Sequence, residues 1–152
     1  MGKFVFRLDN ILAIKEKIEE QEKINFGNAQ AVLNQAVYEY ELLLDRKDGA
    51  EEEFRTMLSK GSDALKLKEA GDALEVIKLF CKEQLLVVEN EERNVELARK
   101  KLEFAMIERK TYEKLKENEF EKYKQEMQKK EGVETDELVS YKYSPNTVSE
   151  VR

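Results

Sequence analysis

From Leu8 to Met57, apolar residues recur in steps of three and four: Leu8, Ile11, Ile18, Ala29, Val32, Ala36, Tyr40, Leu43, Ala50, Phe54 and Met57. Ser59-Lys60-Gly61-Ser62-Asp63 interrupts the pattern. It resumes at Leu67, Ala70, Leu74, Ile77, Cys81, Leu85, Val88, Val95, Ala98, Leu102, Ala105, Tyr112, Phe120, Tyr123 and Met127. A narrow apolar stripe at this spacing keeps one face of each helix ready for a coiled-coil seam. A short Gly-containing connection makes two such helices fold back antiparallel. The expected fold is therefore all-α, a long antiparallel two-helix coiled coil or helical hairpin with a flexible C-terminal tail. Its expected limits are helix one at about 5–58, a turn at about 59–65 and helix two at about 66–131. One hairpin domain, 1–131, is then followed by a tail over 132–152.

Local departures refine this picture. Phe4, Val5, Phe6 and Leu8 can form an apolar knot where helix one starts. Lys15, Glu22, Asn25 and Lys47 put polar groups at seam positions, where they weaken packing and fix register. The steps Val32, Ala36, Tyr40, Leu43 read as a stutter that locally unwinds the supercoil. Asp63 suits an N-cap, and Gly132 suits the end of helix two. A turn near Ser62 sets Phe54 opposite residue 70, Leu43 opposite residue 81 and Leu8 opposite residue 116. Between Ala73 and Val88 the second helix is apolar on nearly all sides. Val76, Phe80 and Val87 point away from the seam, and Leu79 and Leu86 point to a flank. That excess fits either a broader local seam or a surface for a partner, a second copy of the chain included.

Composition narrows the chemistry. The 152 residues include 39% charged residues and a single proline, which disfavours a compact globule. A two-helix coil has no thick core in which to enclose a substrate. Histidine is absent, removing the commonest acid-base catalyst and metal ligand. The single cysteine, Cys81, falls on the apolar stripe and reads as a small core residue suited to a reducing compartment. There is no phosphate-binding G-x-x-x-x-G-K loop. We therefore expect no catalytic residues, no metal ligands, no cofactor and no enzymatic activity. No signal peptide or run long enough for a membrane span is present, so the expected protein is cytoplasmic, without direct membrane insertion.

The net charge of −6 disfavours nucleic acid as the main partner. The charge is unevenly placed. Residues 99–130 hold eleven Lys/Arg against seven Asp/Glu, a local +4, which leaves −10 for the remainder. Either this is a solvated face with intrahelical ion pairs, or a basic end that meets an acidic partner.

Several segments carry a family resemblance. Lys3-Phe4-Val5-Phe6-Arg7-Leu8, then Ile14-Lys15-Glu16-Lys17-Ile18-Glu19-Glu20-Gln21, open the chain. Ala64-Leu65-Lys66-Leu67-Lys68-Glu69 follows the break, and Glu108-Arg109-Lys110 and Leu115-Lys116-Glu117 come later. Together they resemble the flagellar type III export protein FliJ over nearly the whole chain. The resemblance implies a stalk-like hairpin that sits in the hexameric flagellar export ATPase and promotes its assembly. It also implies contact with the cytoplasmic domain of the export-gate membrane protein, escort of export chaperones, and peripheral association with the inner face of the cell membrane at the flagellar base. A family strip early in helix two engages the gate and falls here on Ala73, Ile77, Phe80 and Gln84, beside the outward-facing Val76. For the ATPase ring, analogy with rotary stalks favours the terminal end, where apolar Phe4 and Phe6 adjoin Arg7, Arg109, Lys110, Lys114 and Lys116. The alternative is a structural coiled coil or a prefoldin-like holdase or adaptor subunit. A prefoldin-like fold requires a β-hairpin between the helices, for which this turn is too short.

Overall fold

The computed structural model describes residues 2–142, with side chains placed through residue 139. Two helices account for almost all of it: α1, Asp9–Lys60, and α2, Ala64–Lys142. Among the described residues there is no strand. The two helices pack against each other as an antiparallel hairpin, as the hydrophobic pattern requires.

The reversal takes three residues, Gly61, Ser62 and Asp63, rather than the seven expected. Gly61 has φ of 70°, the left-handed conformation that a Cβ opposes. Its N–H donates to the carbonyl of Leu58 at 3.4 Å, and the Ser62 N–H donates to that of Met57 at 3.2 Å. These are the paired bonds of a Schellman ending, which satisfy carbonyls left open at the helix terminus. The Asp63 carbonyl then accepts from Leu67 at 3.0 Å, making Asp63 the N-cap residue of α2.

The contacts group the chain into two units. The first comprises Met1–Lys17 with Met106–Arg152; the second is Ile18–Ala105.

In the second unit the α1 seam is Glu19, Glu22, Phe26, Ala29, Leu33, Ala36, Tyr40, Leu43, Lys47, Ala50, Phe54 and Met57, all buried or half-buried. The steps of three and four never break, so the expected stutter is absent. Leu33, not Val32, takes the seam, and Val32, Ile18 and Asn25 are exposed. The opposing α2 seam runs Leu67, Ala70, Leu74, Ile77, Cys81, Gln84, Val88, Glu91, Val95, Ala98, Leu102 and Ala105. Gln84 replaces the expected Leu85, which is exposed. Strict heptad spacing overrides hydrophobicity at single positions, because shifting one residue would turn the whole stripe off the partner helix. Phe54 Cε2 lies 3.6 Å from where a Cβ on Gly71 would sit, close to the register expected from a turn near Ser62.

In the first unit, helix α1 begins at Asp9, later than the expected residue 5. Residues 2–6 are non-helical, and burial there alternates: Phe4, Phe6 and Leu8 turn inward while Val5 and Arg7 are exposed. That period of two is the signature of an extended segment. The Phe4 ring lies 5.2 Å from Phe120 and 5.5 Å from Tyr123 by centroids, and Tyr123 Oη donates to the Gly2 carbonyl. These contacts hold the segment off the helical path.

Helix α2 continues to Lys142, past the expected end near residue 131. Gly132 stays out of the left-handed region that terminates a helix, and the Thr135 hydroxyl donates to the Glu131 carbonyl at 2.8 Å across it. The residues expected to form a tail therefore extend the helix as far as Lys142. The rest of that stretch, 143–152, lies outside the described residues.

Candidate functional site

In a two-helix hairpin, each side chain either fills the seam, pairs along a helix, or faces outward for something else. The residues predicted for the two sites divide among these roles.

The gate strip lies in the second unit, early in α2. Its five members share one side of the helix, running from the seam edge at Ile77 and Gln84, through Ala73 and Phe80, to Val76. Phe80 and Val76 are 48% and 49% exposed, and Ala73 is also exposed. Ile77 is half-buried against the seam. Gln84 is turned toward α1: its Nε2 donates to the Ala36 carbonyl at 3.0 Å and reaches Glu39 Oε2 at 3.5 Å. The small Ala36 side chain leaves room for this approach, and the carbonyl's second lone pair accepts without breaking the helix. Gln84 therefore ties the helices together, while Phe80 and Val76 carry the outward face. Cys81 is buried in the seam beside them.

The ring set lies in the first unit. Phe6 is 4% exposed and belongs to the core, and Phe4 is half-buried in the aromatic cluster. Lys116 Nζ pairs with Asp9 at 2.9 Å across the hairpin, and Arg109 pairs with Glu113 at 2.8 Å along α2. Lys15, also at a seam position, bridges to Glu108 at 3.3 Å and lies 5.8 Å from the Tyr112 ring centroid. Arg7, Lys110 and Lys114 are the exposed cations of the set. Beside the aromatic cluster is a shallow cleft of about 490 Å³, lined by Phe4, Leu12, Phe120 and the polar groups of Glu16, Glu113, Lys116 and Glu117. No group of three or more metal-ligating side chains occurs among the described residues.

Elsewhere on α2, Arg99 bonds both Glu96 and Glu103. The hydrogen bond from Arg99 is the main reason the Glu96 carboxyl sits below its ordinary range. Both side chains keep about half of their surface in solvent, 49% for Arg99 and 47% for Glu96, so this pairing is a surface feature and not a buried charge site.

Two outward-facing apolar side chains, Leu97 and Phe104, lie on the same side of α2 as Phe80, at 57% and 65% exposure. Sequence reasoning ended the apolar excess at Val88 and missed them. The signal was available, since they continue the spacing of Phe80 and Val87 after a polar interval.

Residues 4–147 match the family described as flagellar FliJ protein. The chain belongs to the FliJ family. Membership makes it a component of flagellar protein export. Among solved structures, the chain is similar to a protein described as a YscO homolog, CT670 from Chlamydia trachomatis. The TM-score is 0.57 at 15% identity, covering 97% of this chain and 96% of the other. At that identity the likeness speaks for the two-helix fold alone. No curated protein matches the sequence. No helix of the described residues is long and apolar enough to cross a membrane.

Proposed function

We propose that this FliJ-family chain acts by binding and without catalysis, as a stalk of the flagellar export machinery. In this reading it promotes assembly and activity of the hexameric export ATPase, contacts the cytoplasmic domain of the export gate, and escorts export chaperones. It works at the inner face of the membrane at the flagellar base. The observation that carries the gate contact is the exposure of Phe80 and Val76 beside a seam already filled by Leu74 and Cys81. An aromatic with half its surface in water contributes little to the hairpin and much to a partner that covers it. The gate set is Ala73, Val76, Ile77, Phe80 and Gln84, with Phe80 and Val76 as its contact residues.

For the ATPase ring the set remains Phe4, Phe6, Arg7, Arg109, Lys110, Lys114 and Lys116, and the roles divide. Arg7, Lys110 and Lys114 meet the ring directly, whereas Phe4, Phe6, Arg109 and Lys116 shape the surface that presents them. Co-purification with the export ATPase, followed by imaging of the ring, tests the stalk reading. A central density that appears only when this chain is present supports it. A ring of unchanged appearance and activity refutes it.

A further inference from the structure

Outside its seam, α2 carries a second stripe with heptad spacing. Phe80, Glu83, Val87 and Asn90 follow one another at steps of three, four and three. After a step of four, Asn94, Leu97, Lys101 and Phe104 repeat the same steps. All eight are exposed, and all lie in the second unit. Read backwards from Phe104, the second quartet matches the first in kind: an aromatic, a charge of opposite sign, an aliphatic residue and an asparagine.

A stripe that matches its own reverse is complementary to a second copy of itself. We propose that this face pairs with the same face of another copy of the chain, antiparallel, about a twofold axis at the level of Glu92. Phe80 then meets Phe104 of the second copy, Val87 meets Leu97, Asn90 meets Asn94, and Glu83 meets Lys101, each pairing occurring twice. Such an isologous contact is the commonest form of protein self-association. The pairs also alternate between the two heptad core positions, as layers of an antiparallel coiled coil do.

Orientation follows from charge. Parallel pairing would set Glu83 on Glu83 and Lys101 on Lys101, whereas antiparallel pairing converts both into Glu–Lys pairs. The central asparagines favour one register over neighbouring ones, as polar core residues do in coiled coils. Overall charge does not oppose the contact: residues 80–104 hold five Lys/Arg against six Asp/Glu, a net of −1, against −6 for the whole chain. A place for the incoming aromatic exists already. A groove of about 340 Å³ beside Phe104 is lined by Ile18, Leu97 and Lys101, and it receives the Phe80 ring of the second copy. Lys101 stands at that groove, within reach of the same copy's Glu83.

This surface does not depend on the gate reading, but it shares Phe80 with it. A dimer formed here covers Phe80 and excludes a gate contact through the same side chain.

The test is a charge swap on the full chain, read by sedimentation equilibrium in a concentration series reaching about 1 mM, the weak end of ordinary affinities. The unaltered chain should pass from 17.9 kDa toward twice that mass. Glu83→Lys and Lys101→Glu, singly, should each weaken dimerisation by about tenfold, since each creates two like-charge contacts. The double variant Glu83→Lys/Lys101→Glu should recover the original affinity to within about threefold, because both pairs are restored with reversed polarity. Both side chains are exposed, so helicity by circular dichroism should be unchanged in every variant. A chain that stays monomeric throughout assigns the stripe to a different partner and overturns the proposal. So does a dimer indifferent to the single changes, or one that the double change fails to restore.

Discussion

Glu22 occupies a seam position, and its Oε2 is buried without a hydrogen-bond partner. A buried acceptor left unpaired costs about 1–3 kcal/mol. Glu22→Leu should therefore raise stability by about 1 kcal/mol or more, measured by urea unfolding, and a loss of stability would show that the carboxylate finds a partner in solution. Phe80 presents the opposite case, an apolar side chain spending half its surface in water. Phe80→Ala should cost the hairpin less than about 1 kcal/mol, as outward-facing substitutions usually do, yet markedly weaken binding to the gate's cytoplasmic domain. A large drop in thermal stability with gate binding intact would return Phe80 to a structural role. The seam itself was legible as a pattern, but its polar members were only partly so. Lys15, Glu22 and Lys47 stand out as interruptions in the sequence, whereas Glu19 and Gln84 are hidden beside apolar neighbours, Ile18 and Leu85, that look like better candidates.

At the scale of the element, the turn is the most constrained point in the chain. Gly61 at φ 70° has open space around its Cβ position, so a substitution there meets backbone strain and no clash. Gly61→Ala should cost about 1–2 kcal/mol, the penalty of a left-handed conformation for an L-residue. A neutral result in chemical unfolding would mean that the reversal can relax to a different geometry. Pairing along the hairpin can be tested independently. Ala36 and Val88 both lie buried in the seam, and cysteines at these two positions, with Cys81 changed to Ala, should join within one chain on oxidation. Crosslinks that form only between chains would contradict the fold-back. The helix boundaries were harder to read from sequence. The start of helix one was expected near residue 5, inside the apolar knot, whereas the segment is extended there and packs Phe4 against Phe120 and Tyr123.

For the molecule as a whole, charge is the organising quantity. The chain is acidic at −6, yet residues 99–130 carry +4. Within that stretch Arg99, Arg109, Lys116 and Lys124 pair with carboxylates. Arg7, Lys110 and Lys114 remain exposed. Reversing these three to Glu should abolish stimulation of the export ATPase, and any residual effect should be less sensitive to salt, because screened attraction is what was removed. Substitutions at Ser59–Lys66 should leave stimulation nearly intact. The converse pattern, sensitivity at the turn and tolerance of charge reversal, would place the other end of the hairpin in the ring.

The periodicity alone determined that two helices form, that they fold back on each other, and roughly where they reverse, because a stripe repeating every three and four residues can be buried in no other simple way. Short segments of the chain also marked the family. Which side chain takes each seam position was decided in the tertiary structure. A helix must keep one continuous rotation over many turns, so Leu33 displaces Val32 and Gln84 displaces Leu85, whatever their individual hydrophobicities. The division of the basic residues was likewise settled there, since a lysine bound to Asp9 and a lysine free to meet a partner are identical in sequence and differ only in what the opposite helix brings within reach.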